Sequence, residues 1–250
     1  MSAQFSDTSG KSGIIQMIER NVFGEQGYGQ VSGNTMRMAT FTSEVNLALS
    51  RALAIIFKAD GRWQYDDNNH TDYPIITTNL VDGQRDYAFT VDEQGNLILD
   101  IYDVAILPSA TATLFTKLNP VDAQTQEEGN NFIANVTSGG TPTKYDKTAN
   151  GIFLDPIPNY NATNGLKIYI NRESSFFSVG DTTKKPGIAG LFHEYLALRP
   201  SFMYAMRHGL KNKSGLEAET LRMEGEIGDY YTRREKDVRH GMRARATNDH

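Results

Sequence analysis

The sequence predicts an α+β protein: a helical bundle formed by the N- and C-terminal helices, with an antiparallel β domain inserted between them. Three observations carry this expectation. Near the start, Ile14, Ile15, Ile18 and Val22, and then Val45, Leu49, Leu53 and Ile56, recur at helical spacing. From Tyr73 to Phe177 the pattern is that of strands and turns; Leu166, Ile168 and Ile170 alternate with Lys167, Tyr169 and Asn171, as in a strand with one buried face. Beyond Lys184 the helical period returns. The expected divisions are residues 1–72, N-terminal helices with a flexible loop; 73–177, the inserted β domain; and 178–250, C-terminal helices and a basic tail.

The first helix ends near Gly24. The Gly-rich stretch from Gly24 to Gly33 follows no strand and spells no phosphate-binding fingerprint, so it reads as a flexible loop that could carry contacts. Thr42 or Ser43 is the expected cap of the second helix, and Asp60-Gly61 its stop. Trp63 then reads as a core anchor, and Asp66 to His70 as a run of Asx turns, because the Gly and distal Glu of a calcium loop are missing.

In the β region, residues 74–80 and 85–91 around Val81-Asp82-Gly83-Gln84 are expected to form a first hairpin. Gly95-Asn96 turns into a long strand, Leu97 to Leu107. Its Asp100 and Asp103 stand three apart, on opposite faces, which suits a bulge or an edge better than an acid/base pair. Thr111 to Leu118 reads as a strand. Asn119-Pro120 carries the cap and first-turn signature of a short helix through Glu128. Residues 132–140 read as a loop or edge strand. The pair Asn150-Gly151 predicts a tight hairpin between Tyr145 and Ile152 to Leu154, with Pro156 and Pro158 ending the second strand.

Ile188, Leu191, Phe192, Tyr195 and Leu198 form the next amphipathic pattern, with Pro200 expected to kink or restart the helix. Ser214 to Glu217 reads as a capping box for a last helix bearing Leu216, Met223, Ile227 and Tyr230 or Tyr231, running to about Val238.

The chain has 250 residues, no cysteine and 39% hydrophobic residues, so thiolate metal sites and disulfide scaffolds are excluded. No signal-peptide pattern or membrane-length apolar run is present, and the four Asn-x-Ser/Thr matches (Asn69, Asn135, Asn161, Asn212) read as chance. Net charge is −5, but residues 1–183 carry −9 and 184–250 carry +4. That asymmetry argues against broad nucleic-acid binding and singles out Arg233, Arg234, Lys236, Arg239, Arg243 and Arg245. They are either a solvated helix end matched to the helix dipole, or a surface for an acidic partner or for DNA phosphate.

No catalytic constellation emerges. His193-Glu194 lacks the second zincin histidine, since position 197 is Ala, and His70, His193, His208, His240 and His250 show no ligand spacing. Glu127 and Glu128 read as solvated. No cofactor, metal or enzymatic activity is expected.

The N-terminal helix pair, the Trp after Asp60-Gly61, the Tyr-Pro-Ile-Ile-Thr-Thr strand, the Tyr145…Gly-Ile-Phe-Leu-Asp-Pro-Ile-Pro hairpin with its Leu-Lys-Ile-Tyr-Ile strand, and the closing helices resemble the head-to-tail adaptor (connector) proteins of tailed bacteriophages. Their order is similar to that of the podovirus tail tubular protein below the portal, over roughly Thr42 to Tyr231. The resemblance implies a structural virion protein of the phage neck. It would be a homo-oligomeric, dodecameric ring that docks on the portal protein and faces the next tail component, and through which DNA passes without sequence-specific binding. It also makes the six basic residues named above candidate portal contacts. The alternative is a tail or capsid-decoration module whose β domain recognises a glycan or a capsid surface through Tyr87, Tyr102, Tyr160 and Tyr169.

Overall fold

The computed structural model describes residues 3–59, 75–92, 95–121, 139–148 and 150–235. The fold is mixed α+β, and the chain divides into two compact units: Met1–Phe5 with Gln64–Gly190, and Ser6–Trp63 with Leu191–His250. Asp60-Gly61, Trp63, Asp66 to His70, Tyr73-Pro74, the expected helix beyond 121 with Glu127 and Glu128, and residues 132–138 lie outside the described residues.

Among the described residues, the second unit holds four α-helices: α1 (Ile14–Phe23), α2 (Thr35–Ala59), α3 (Tyr195–His208) and α4 (Lys213–Glu235). Within it α1 packs on α3, and α2 on both α3 and α4. The apolar periods account for this, since Ile14, Ile15, Ile18, Val45, Leu49 and Ile56 are fully buried. Tyr204 of α3 lies between rings from two other helices, 5.7 Å from Phe23 and 5.4 Å from Phe41.

Four details of the helices differ from the sequence reading. Helix α2 starts at Thr35, not near Thr42: Asn34 caps it, its Oδ1 accepting the Arg37 N–H at 3.0 Å, and the Thr42 hydroxyl bonds back to the Met38 carbonyl inside the helix. Helix α3 runs through Pro200 unbroken. Its first turn is buried at Tyr195, Leu196, Ala197 and Leu198, so packing compensates for the backbone bond that proline cannot make. Ser214 lies inside α4 rather than at its cap, so the expected capping box does not mark the start of this helix. Leu191 falls in a 3₁₀ turn, Gly190–Phe192, before α3 begins.

The first unit is built on two four-stranded sheets. One has the order β1 (Ile75–Leu80), β10 (Ala162–Arg172), β3 (Ile98–Ile106), β4 (Thr116–Lys117); the other β2 (Asp86–Ala88), β8 (Gly151–Asp155), β7 (Lys144–Thr148), β5 (Asn119–Pro120). A third pairing is parallel, β6 (Gly139–Gly140) with β9 (Ile157–Pro158). Val104, Ile106, Leu166, Ile168 and Ile170 from the first sheet and Tyr145, Ile152 and Leu154 from the second share one core.

The β7–β8 hairpin forms as expected, with Thr148 opposite Gly151. Gly151, however, has no left-handed backbone. A Cβ there would stand 2.4 Å from the Tyr87 carbonyl oxygen, so close approach of β2 is what demands glycine. The expected first hairpin is overturned: β1 pairs with β10 and β2 with β8, so the turn at 81–84 passes the chain between sheets. Residues 111–115 are not strand, and only Thr116–Lys117 pair. Asn119-Pro120 is no helix cap but a parallel bridge to Lys144 and Tyr145. Asn164-Gly165 sits inside β10, where the register to β1 shifts and Asn164 takes φ +52°.

Candidate functional site

The last helix sets the geometry. Its buried residues Leu216, Thr220, Met223, Ile227 and Tyr231 recur at spacings of four, three, four and four, which fixes one face against the unit's interior. Glu224 anchors that packing: its carboxylate accepts from the Tyr195 hydroxyl at 2.8 Å and from Arg199 at 2.9 Å, with Arg51 of α2 3.5 Å away. Burial and the Glu224 carboxylate together push the Tyr195 hydroxyl pKa up, keeping it a neutral donor.

On the other side of α4 lies a groove of about 720 Å³, lined by Leu191, Phe192, Glu226, Asp229, Tyr230 and Arg233. Its wall is aromatic. Phe192 meets Tyr230 edge-on at 5.3 Å, and Tyr230 meets Tyr231 edge-on at 5.1 Å. Leu191 is 71% exposed and Tyr230 40% exposed, so two large apolar side chains face solvent beside the opening. Arg222, ion-paired with Glu219 and Glu226, borders the acidic side. The hydrogen bond from Arg222 holds the Glu219 carboxyl below its ordinary pKa. This is a surface that can bind an apolar segment; it has no nucleophile and base in register.

Of the sequence-predicted contacts, Arg233 lies in this groove, exposed, in the last turns of α4. Arg234 lies in the same helix, described by its backbone only. Lys236, Arg239, Arg243 and Arg245 lie outside the described residues. The groove's other members were hidden from sequence reasoning because Leu191 and Phe192 match the apolar period of a helix that starts only at Tyr195. The choice between Tyr230 and Tyr231 resolves to Tyr231 as the core residue.

The four tyrosines of the glycan alternative do not form one platform. Tyr87 is buried, its hydroxyl accepting the Val81 N–H, and the half-buried Tyr160 donates to the Leu107 carbonyl at 2.6 Å. Tyr102 and Tyr169 stand together, their ring centres 6.0 Å apart and tilted by 52°. Asp100 and Asp103 are each paired with a lysine, Lys147 at 3.3 Å and Lys117 at 2.7 Å, and β3 bulges on both sides of Ile101. His193 is buried and His208 stacks on Tyr204. Among the described residues no cluster of His, Cys, Asp and Glu could hold a metal ion, and no helix is long and apolar enough to cross a membrane.

No protein-family model matches the chain, and no curated protein matches it.

Proposed function

We propose that this protein is a structural component of a phage neck, a head-to-tail adaptor whose helices from the two chain ends form a bundle carrying an inserted β domain. On this reading copies assemble into a ring between the portal and the next tail component, and DNA passes through it. The observation that carries the reading is the open, largely apolar groove on α4, placed where the helix leads toward the basic C-terminal residues. An exposed apolar concavity on a helix is a surface suited to a protein partner. The cationic residues that follow suit an acidic one.

The test is portal binding. Native mass spectrometry of the protein mixed with portal rings from the same source should give a stoichiometric ring on the portal. Truncation after Val238 removes Arg239, Arg243 and Arg245 and should weaken that binding while leaving the circular dichroism spectrum intact. Equal portal binding by the truncated chain overturns the role of the basic residues.

A further inference from the structure

The groove on α4 has a counterpart on the same unit. Helix α2 presents an exposed stripe on successive turns: Leu47, which is 66% exposed, then Arg51, Ala54 and Lys58. Two contacts fix the register of the helices. The Arg51 guanidinium lies 3.5 Å from Glu224, and a Cβ at Gly228 would lie 3.7 Å from Ile55 Cγ2, four residues further along both helices. Helices α2 and α4 therefore run side by side in the same direction, and Lys58 stands at the height of Tyr231. The stripe thus spans the height of the groove. At about 100° per residue, Glu226, Tyr230 and Arg233 lie roughly half a turn round α4 from the Glu224 and Gly228 side that meets α2. Stripe and groove are on opposite flanks.

The two surfaces match in chemistry as well. The stripe alternates apolar side chains with the cations Arg51 and Lys58, and the groove sets Leu191, Phe192 and Tyr230 beside the carboxylates Glu226 and Asp229. Two different, complementary patches on opposite flanks of one subunit make a head-to-tail contact, which closes into a ring when the rotation between copies allows. We propose that the occupant of the groove is the α2 stripe of a second copy of this chain. This deepens the adaptor reading and rests on it for the ring. Arg233, at the C-terminal lip of the groove, stays available to the portal.

Because the chain lacks cysteine, single cysteines report this contact cleanly. Ala54→Cys and Leu191→Cys are placed in separate full-length chains and treated with a short thiol-to-thiol cross-linker, alone and mixed, with and without portal rings. Linked pairs in the mixture and none in either variant alone are expected, and the Ala54→Cys/Leu191→Cys double variant should give a ladder. Linkage within either single variant, or no linkage in the mixture beyond that of a Ser9→Cys control, overturns the contact. Portal binding without mixed linkage sinks the contact and spares the adaptor; a ladder from chains that ignore the portal does the reverse.

Discussion

A single carboxylate shapes the Gly-rich loop after α1. Glu19 is fully buried, and its Oε1 accepts the Val31 N–H, the Ser32 N–H and the Ser32 hydroxyl at 2.8 to 3.0 Å. A segment that reads as free in the sequence is thereby held on a helix, by charge-assisted bonds that no local pattern announces. Arg172 plays a comparable part in the β unit. Nearly fully buried, it pairs with Asp92 at 3.3 Å and donates to Ser175 at 3.0 Å, tying the turn at Asp92 to the end of β10. Tyr102 is the residue with a pH signature: burial, then Tyr169 and Asp103, push its hydroxyl pKa up to about 12. The folded-state value exceeds the ordinary one of 10.0, so Tyr102 contributes stability that is complete below pH 10 and lost as pH rises through 12. Tyr102→Phe keeps the ring and removes this ionisation. Denaturant titrations from pH 9 upward should show a shallower alkaline loss of stability in the variant, and identical slopes would exclude Tyr102 as the group.

Elements were legible where their signal was local. The helical periods located the buried residues of α1 and α2, and Asn150-Gly151 located the β7–β8 turn. Pairing between distant strands was not legible. Adjacent strands usually pair, but β1 and β2 sit 82 to 94 apart from partners in β10 and 63 to 67 apart from partners in β8, respectively. Cap signatures misled for a related reason: Asn119-Pro120 has the residues of a helix start, yet Asn119 N–H donates to the Thr143 carbonyl at 3.0 Å and Val121 N–H to Tyr145 at 2.8 Å, both across a sheet. The groove was invisible because exposure of Leu191 depends on where α3 begins. Gly151 gives the element-scale test. Gly151→Ala sets a methyl against backbone atoms of β2, the Tyr87 oxygen at 2.4 Å and Ala88 Cα at 3.0 Å, so the strands must separate. A loss of about 1–3 kcal/mol in urea unfolding is expected, the usual cost of overpacking. A neutral result would mean that β2 yields freely.

At the scale of the molecule, neither unit is a continuous stretch of chain. The first residues belong to the β unit, where Phe5 is fully buried, stacks on Phe177 at 4.5 Å and donates its N–H to the Lys184 carbonyl at 2.8 Å. Phe5→Ala should therefore destabilise the β unit, by about 3–5 kcal/mol as for other large-to-small core changes. Hydrogen exchange read strand by strand is the measurement; loss of protection in β3 and β10 is expected, with amides of α1 and α2 changing less. The reverse pattern would assign Phe5 to the helices.

The interleaving of the two units also sets an order in time. Everything in the β unit has been synthesised once Gly190 is made, whereas α1 and α2 must wait for α3 and α4 to be added. At roughly 5–20 residues per second, the interval between the last residue of α2 and the first of α4 is on the order of ten to thirty seconds. During it, the apolar faces of the first two helices lack the helices they pack on, while the β unit is completed at Gly190, before the last helix begins.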